Sequence, residues 1–302
     1  MKRGIALSVF SSVLFAVLYY YTTVLHPLDG GAIFAWRVLL ALPALGLFIS
    51  RARGWKEIIE ITRHLAQDWK RSLFMLLAAA LLGVQLWLFV WAPLHQRAID
   101  VSLGYFLLPL MMVLVGRVFY RERLTRMQSL AVAVAAVGVS HEVIVVGSFS
   151  WVTALVIFGY PPYFMLRRRL RFGTLAGLWF DMLLLAPVAL WVLRAGGGGV
   201  IQQFIDYPRL IGLVFVLGLI SSTALVSYIS ASRLLPLGLF GILGYVEPVL
   251  LFWVAVLLLR EPIVPEAWWT YIPIWIAVAL IMFEGLFRWL KESRTASRAS
   301  PS

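Results

Sequence analysis

One glutamate is unusual among the ionisable residues because it lies in the middle of a long apolar segment. Glu247 is about twelve residues into the run 236–259, which is ~18 Å along a helix and near the centre of a bilayer. A carboxylate at that depth is costly without a partner, so it predicts a contact for a substrate ammonium group or a group that carries a proton. A structural carboxyl group bonded to a neighbouring helix is the alternative. Pro248 removes a backbone donor beside it and frees carbonyl groups one turn earlier to face a cavity.

Two further charges lie at related depths in two other apolar runs. Arg37 is the sixth residue of the run 32–50, and Asp181 is the seventh residue of the run 175–193. They predict one charge at each mouth of a shared cavity, with Arg37 receiving carboxylate groups. The alternative for each is a side chain that reaches the nearby interface, ~8–10 Å away.

A polar and aromatic group lies in the run 73–92. Gln85, with Trp87 and Trp91 nearby, predicts a polar contact beside an aromatic wall for a flat or cationic substrate. The alternatives are an interhelical hydrogen bond for Gln85 and the interfacial aromatic belt for the tryptophans. The candidate substrate-binding residues, completed by three tyrosines in similar positions, are Arg37, Gln85, Trp87, Tyr105, Asp181, Tyr245, Glu247, Tyr19 and Trp91.

The residues that covalent and metal chemistry need are missing from the sequence. There is no cysteine, and the four histidines are scattered without an i,i+4 pair. The metalloprotease HExxH, the hydrolase GxSxG and the nucleotide-binding Walker motifs are absent. The sequence therefore predicts no catalytic residue, no cofactor and no metal site. Charges inside apolar runs favour a transporter, while a polytopic membrane enzyme and a non-transporting receptor or scaffold stay as alternatives.

The composition indicates which elements must position these residues. Of the 302 residues, 62% are apolar and 13% are charged, whereas soluble domains have roughly 45–50% and ~25%. Ten apolar runs are each long enough to cross a ~30 Å hydrocarbon core as a helix. The runs are 4–25, 32–50, 73–92, 101–120, 125–142, 148–166, 175–193, 209–230, 236–259 and 265–287. They predict an all-α integral membrane fold with ten transmembrane helices.

The distribution of positive charge predicts the topology. The net charge is +12, and 21 of the 26 Lys and Arg residues fall in segments on the side of the N-terminus. Four fall on the other side, and Arg37 lies within a run. Positive charge accumulates on the cytoplasmic side, so both termini are predicted to be cytoplasmic in a multi-pass protein of the inner (plasma) membrane. The basic runs are topology signals by this interpretation and not a nucleic-acid surface.

The chain contains an internal repeat. A Leu-Gly-Tyr triplet, a proline and an Arg-Glu pair recur in the same order, with an offset of 139 residues from the proline onward. The copies are Leu103-Gly104-Tyr105, Pro109 and Arg121-Glu122, and then Leu243-Gly244-Tyr245, Pro248 and Arg260-Glu261. Five runs, an odd number, separate the copies, so the second copy enters the membrane upside down. The predicted units are a five-helix repeat at 1–145, an inverted repeat at 146–288 and a disordered cytoplasmic tail at 289–302.

These segments resemble a known transporter family. The motifs are Ser102-Leu103-Gly104-Tyr105-Phe106 with Pro109, Trp87, Trp91, Glu122-Arg123 and Gln128. They are similar to the EamA family of the drug/metabolite transporter superfamily, and within it to the RarD-type subfamily. The resemblance implies ten helices in two inverted five-helix repeats, and transport, usually efflux, of small amphipathic metabolites or drugs. The glycine loop at 196–199 and Arg121 depart from the family pattern.

Together the residues and the resemblance predict a secondary transporter that works by alternating access around a midplane cavity. The expected cargo of this exporter is a small amphipathic molecule of amino-acid-like, aromatic or metallophore type. The expected partners are that small-molecule substrate and the lipid bilayer, with protons as a candidate coupling ion and no nucleic acid. A monomer and a homodimer both fit the sequence.

Overall fold

The computed structural model describes residues 1–146, 150–195, 199–263 and 265–299. Every regular element in these ranges is helical, in agreement with the all-α prediction. The helices are α1 (Lys2–Val24), α2 (Gly30–Arg51), α3 (Trp55–Gln67), α4 (Trp69–Trp91), α5 (Ala98–Phe119), α6 (Arg126–His141), α7 (Trp151–Leu170), α8 (Thr174–Ala195), α9 (Gly199–Asp206), α10 (Arg209–Leu234), α11 (Leu237–Leu243), α12 (Val246–Trp253) and α13 (Trp268–Ala299). Two π-helical segments, Glu142–Val146 and Val254–Leu258, extend α6 and α12.

Nine segments of the described ranges are long and apolar enough to cross a membrane. Eight of them contain α1, α2, α4, α5, α6, α8, α10 and α13, and the ninth is the stretch Leu239–Leu258. The predicted run 148–166 corresponds to α7, which is not among the nine. This helix has 20 residues, but three arginines occupy its last turn and two prolines lie inside it. The chain is thus a multi-pass membrane protein with nine candidate spans in its described part.

The basic loop between α2 and α4 is itself helical, which sequence reasoning missed. In α3, Ile58 and Ile61 are buried and the charged residues lie on the other faces. The Gly173 N–H, just before α8, donates a 2.9 Å hydrogen bond to Oε1 of Glu57. The amphipathic helix α3 is therefore tied to the start of α8.

The predicted span 236–259 is broken near its middle. A turn at Gly244 and Tyr245 separates α11 from α12. Pro248 lacks an N–H, and its ring displaces the carbonyl group four residues earlier, which belongs to Gly244. The corresponding Pro109 lies inside α5, which continues through it. The two copies of the repeat therefore respond differently to the same proline.

The helices at the C-terminal end extend further than predicted. α13 ends at Ala299, so a helix covers most of the segment 289–302 for which the sequence predicts disorder. Lys, Glu, Arg and Ala favour helices, and here they prolong a helix that is already formed. Residues 300–302 and the glycines at 196–198 lie outside the described ranges.

Helices from the first and second halves of the chain pack against one another instead of forming two separate bundles. α1 packs against α10 and α12, and α7 packs against α4 and α5. α2 packs against α8, α6 packs against α13, and α5 packs against α12. One buried apolar core runs through all of these contacts. A polar site in that core is consequently built from both halves of the chain.

The repeated Arg-Glu pair ends its helix in the same way in both copies. Arg121 and Arg260 have left-handed backbone angles, with φ of 55° and 57°. The N–H of Glu122 and the N–H of Glu261 each bond to the carbonyl six residues earlier, at 3.1 and 3.0 Å. Each helix thus ends on a residue in the left-handed conformation, a position where glycine is usual.

The two glutamate side chains have different environments. Both carboxylate oxygens of Glu261 accept hydrogen bonds from the first N–H groups of α5, those of Ala98 at 2.7 Å and Ile99 at 2.8 Å. Glu122 is mostly exposed and lies 3.8 Å from Arg168. Glu261 therefore caps a helix that precedes it by more than 160 residues in the chain. Burial raises the pKa of Glu261, and the two amide donors offset only part of that effect.

Glu261→Ala should destabilise the protein by about 2–4 kcal/mol, because two buried N–H groups lose a charged acceptor. Glu261→Gln keeps one acceptor oxygen and should cost less. Because the folded state binds this proton more tightly than the unfolded chain, the carboxyl group's contribution to stability falls as pH rises above its ordinary pKa of 4.5. Thermal unfolding in detergent at several pH values measures both effects. Glu122→Ala is the matched control, and an equal loss in that variant would contradict the capping role.

Gly104→Ala should separate α5 from α7. A Cβ at Gly104 would lie 2.6 Å from Cβ of the buried Val156. Overpacking of this kind costs about 1–3 kcal/mol, which a lower unfolding temperature would report. Gly212→Ala in α10 is the control, because a Cβ there meets nothing within 4 Å. That change should be neutral or raise stability by up to ~1 kcal/mol through helix propensity.

Candidate functional site

Side chains from both halves of the chain lie together in the core, around the guanidinium of Arg37 and the carboxyl group of Glu247. α2 contributes Arg37, α5 contributes Tyr105, α7 contributes Tyr160, and the first turn of α12 contributes Glu247. Arg37 and Glu247 are close enough for their charges to interact, and the two tyrosines lie beside them. The Arg37 nitrogen atoms form no ion pair within 4.0 Å of the Glu247 oxygens. These four residues are called the central cluster below.

Arg37 is held by neutral groups. Asp29 caps α2 by accepting a 2.7 Å hydrogen bond from its first turn, and Arg37 follows about two turns into the helix. Its Nε donates to Oγ of Ser221 on α10 at 3.3 Å, and its guanidinium lies 5.3 Å from the ring centroid of Phe89. Arg37 is only 6% exposed, and within the described chain its Nη1 has no hydrogen-bond partner. This unpaired nitrogen is a suitable donor for a carboxylate.

Glu247 has unused hydrogen-bonding capacity as well. It is half-buried and accepts no hydrogen bond from the residues that the structure describes. It lies in the first turn of α12, where the helix N–H groups favour negative charge. The neighbouring Pro248 carbonyl accepts a 3.0 Å hydrogen bond from Oγ of Ser102, which fixes the start of α12 against α5. The carboxyl group is therefore well positioned but has no partner from a neighbouring helix.

A pair of tyrosines gives the cluster its aromatic wall. The hydroxyl oxygens of Tyr105 and Tyr160 are 2.8 Å apart, and the ring centroids are 5.7 Å apart. The Tyr105 ring also lies 6.4 Å from Phe89. Tyr160 precedes Pro161 and Pro162, whose missing N–H groups leave α7 carbonyls without helical donors. Rings beside opposite charges suit a ligand with an apolar body and charged ends.

Gln85 and Tyr19 bond to backbone groups instead. Nε2 of Gln85 donates to the Leu155 carbonyl at 2.8 Å and lies where a Cβ of Gly159 would be. The Tyr19 hydroxyl donates to the Ala98 carbonyl at 3.1 Å. Gln85 thus makes the interhelical hydrogen bond considered as its alternative, between α4 and α7. Tyr19 links α1 to the start of α5.

Trp87 and Trp91 belong to a separate aromatic group at the end of α4. Their ring centroids are 5.4 Å apart, and the Trp91 ring lies 5.3 Å from that of Trp151. His95 stacks on Trp91 at 4.0 Å. Within the described chain, these ring contacts do not include the tyrosines of the central cluster. The arrangement suits an interfacial aromatic belt.

Tyr245 and Asp181 are buried, but within the described chain neither is hydrogen-bonded to a residue of the central cluster. Tyr245 is 4% exposed at the turn before α12, and its hydroxyl has no partner among the described residues. Asp181 is fully buried, and its Oδ2 accepts a 3.1 Å hydrogen bond from Tyr163. Arg37 and Asp181 are each the eighth residue of their helices, α2 and α8. Both are buried, so neither side chain reaches towards the interface.

Sequence reasoning missed Tyr160, Tyr163, Ser221 and Phe89. A Pro-Pro pair flanked by two tyrosines inside an apolar run was a usable signal for the first two. Ser221 begins a Ser-Ser-Thr stretch in an otherwise apolar helix, and Phe89 has no distinguishing pattern. In the described ranges, no three His, Asp or Glu side chains converge as metal ligands would.

Known proteins share this architecture. The model of the EamA-like transporter family matches residues 2–141. "Chloramphenicol-sensitive protein RarD" of Pseudomonas aeruginosa is 48% identical over 97% of both chains, and an uncharacterized transporter of Pasteurella multocida is 39% identical over 95% of this chain and 98% of its own. A solved structure with 17% identity and a TM-score of 0.52, covering 93% of this chain and 98% of that one, has a similar fold. The chain therefore belongs to the EamA-like transporter family, in the RarD-like group of the drug/metabolite transporter superfamily.

Proposed function

We propose that this protein is an inner-membrane secondary transporter that exports a small amphipathic molecule bearing both a carboxylate and an amine. The proposal rests on Nη1 of Arg37 and the carboxyl group of Glu247, neither of which has a hydrogen-bond partner among the described residues. Buried charges without direct partners are costly, and a zwitterionic ligand supplies a partner for each. The rings of Phe89, Tyr105 and Tyr160 would hold its apolar part. Amino-acid-like, aromatic and metallophore-type compounds all fit this description.

Transport would proceed by alternating access between two inverted five-helix repeats, 1–145 and 146–288. The packing supports this assignment, with α7 as the sixth of ten spans. Exchanging the two repeats turns the contact of α1 with α10 into that of α7 with α4, and the contact of α1 with α12 into that of α7 with α5. The contacts α2–α8, α5–α12 and α6–α13 map onto themselves. A substrate site at such a repeat interface is typical of secondary transporters.

The proposed orientation puts both termini in the cytoplasm, on the strength of the positive-charge distribution. An enzyme reporter that is active only in the periplasm, fused after Ser302, should then stay inactive. A cytoplasmic reporter at the same position should be active. The reverse result would overturn the proposed cytoplasmic C-terminus.

Export is proposed as the direction because it is usual in the family that the chain resembles. Protons are the candidate coupling ion, since the chain has no Walker motif for nucleotide hydrolysis. A gradient of the substrate itself is the other available driving force.

The test compares secreted metabolites, without a preselected substrate, between cells with and without the protein. Cells producing Arg37→Met at the same membrane level provide the control. We expect compounds carrying an amine and a carboxylate to accumulate outside only when the unaltered protein is present. Identical secretion in all three cultures would contradict the proposal.

A further inference from the structure

A second polar group lies between α7 and α8, away from the central cluster. Asp181 on α8 is fully buried, and its Oδ2 accepts the Tyr163 hydroxyl hydrogen bond at 3.1 Å. Its Oδ1 is buried too and has no hydrogen-bond partner among the described residues. A charged carboxylate with one oxygen unsatisfied is unfavourable in this position. The site therefore lacks one positive charge or one proton.

A positive charge lies one helical turn away. Arg167 is four residues after Tyr163 on α7, and Gly177 is four residues before Asp181 on α8. The Arg167 guanidinium occupies the space where a Cβ of Gly177 would be. Its bonds are weak, to Sδ of Met75 at 3.7 Å and to the Gly173 carbonyl at 3.5 Å. Glycine at position 177 is thus what admits the guanidinium.

Arg167 and Asp181 interact electrostatically but form no ion pair within 4.0 Å. The helices packed most closely against α8 are α2 and α4. Their charged residues make no hydrogen bond or ion pair with Asp181, and these residues are Arg37 and Arg51 on α2 and Lys70 and Arg71 on α4. Tyr163 and Arg167 are therefore the groups that act directly on the carboxyl group.

We propose that Asp181 is a proton-binding site, with Arg167 as the counter-charge that replaces the proton. The inference rests on the proposed transport function and identifies its coupling ion. In one state the carboxyl group is protonated and bonded to Tyr163. In the other it is ionised, and a shift of about one helical turn between α7 and α8, ~5.4 Å, brings it to Arg167. The proton binds a carboxylate oxygen from solution on one side and leaves that oxygen to the other side, and no other bond changes.

The position of Asp181 links proton binding at this residue to substrate binding at Arg37. Arg37 and Asp181 occupy the same place in α2 and α8, which are equivalent helices of the proposed inverted repeats. A motion that opens one end of the core to Arg37 would therefore close the other end over Asp181. Proton exchange and substrate exchange would be driven by the same motion.

Infrared absorption of the purified full-length protein in lipid bilayers tests the site without a substrate. A protonated carboxyl group has a carbonyl band that its ionised form lacks. The difference spectrum between the unaltered protein and Asp181→Asn should contain such a band, which disappears as pH rises. Tyr163→Phe should keep the band at a shifted frequency, because the hydrogen bond to the carboxyl group is gone. Asp181→Asn spectra with the same pH-dependent band would overturn the proposal, and should that variant not fold, an unchanged frequency in Tyr163→Phe would do so.

A matched pair of variants tests the role of Arg167 as the counter-charge. Arg167→Met should increase the protonated band at neutral pH, since the ionised form loses its compensating charge. Arg169→Met, a substitution of an exposed arginine on the same helix, should leave the band unchanged. Equal bands in both variants would show that Arg167 has no part in the site.

Everted membrane vesicles separate this inference from the proposed function. With metabolites identified by the secretion comparison, Asp181→Asn should bind substrate and exchange it but lose accumulation driven by a pH gradient. Gradient-driven accumulation that persists in Asp181→Asn would overturn the proton site while the transport function stands. No difference in secretion between cells with and without the protein would refute the transport function, and the infrared titration would still decide whether Asp181 binds a proton.

Discussion

Arg37→Met should lower export of the substrate about 10- to 100-fold, because the ligand loses charge-assisted hydrogen bonds that contribute about 1.5–3 kcal/mol. Methionine keeps most of the volume and removes the charge and the donor beside Ser221. Glu247 then loses the positive charge that acts on it, so stability should fall too. Transport into everted vesicles and the unfolding temperature in detergent measure the two effects.

Two companion variants distinguish the role of the guanidinium from that of its charge. Arg37→Lys keeps a charge but not the planar fork, so we expect intermediate transport. The double variant Arg37→Met with Glu247→Gln removes both charges, and its stability should exceed that of Arg37→Met alone. Additive losses in the double variant would mean that the two charges do not interact.

Glu247→Gln should preserve the fold and weaken substrate affinity, because the amide cannot pair with the substrate's ammonium group as a carboxylate does. Coupling to a pH gradient should persist, since the proposed proton site is Asp181. Unchanged affinity with loss of gradient-driven accumulation would instead make Glu247 the proton-binding residue. Substrate binding and uptake into proteoliposomes, with and without a pH gradient, measure both quantities.

Glu266→Gln is the control for the same chemical change outside the cluster, since Glu266 is exposed after the last loop. It should behave as the unaltered protein. Normal affinity and normal gradient-driven transport in Glu247→Gln would remove Glu247 from the functional site, and misfolding of Glu247→Ala alone would then assign it a structural role.

Most of the helical spans were predictable because apolar length reflects the strongest energies in a membrane. A run of about 20 apolar residues has few alternatives to a spanning helix. The break before α12 and the helix α3 were harder to predict, because they depend on local competition. Pro248 breaks one helix and its counterpart Pro109 does not. Ile58 and Ile61 lie three residues apart in a strongly charged segment. Their spacing indicates an amphipathic helix, but the composition of the segment does not.

The site was less predictable than the fold. Arg37, Tyr105 and Glu247 were identifiable because a polar group in an apolar run needs an explanation. Their partners were not, since Tyr160 and Ser221 reach the cluster only through the packing of α7 and α10 against other helices. Gln85 shows the converse, because a carbonyl group on α7 satisfies a side chain whose position alone resembled a binding residue.

The bond from Glu261 to the start of α5 also bears on whether the two halves of the chain could fold independently. A polypeptide ending near residue 146 would contain α5 but not the carboxylate that accepts its first two buried N–H groups. Glu122, its counterpart in sequence, is mostly exposed and lies 3.8 Å from Arg168 instead of accepting helix N–H groups. For the helix cap the dependence is therefore one-sided, because the segment before residue 146 needs a carboxylate that the later segment carries. A gene split near residue 146 would have to deliver both products to the same membrane before the first could complete its folding.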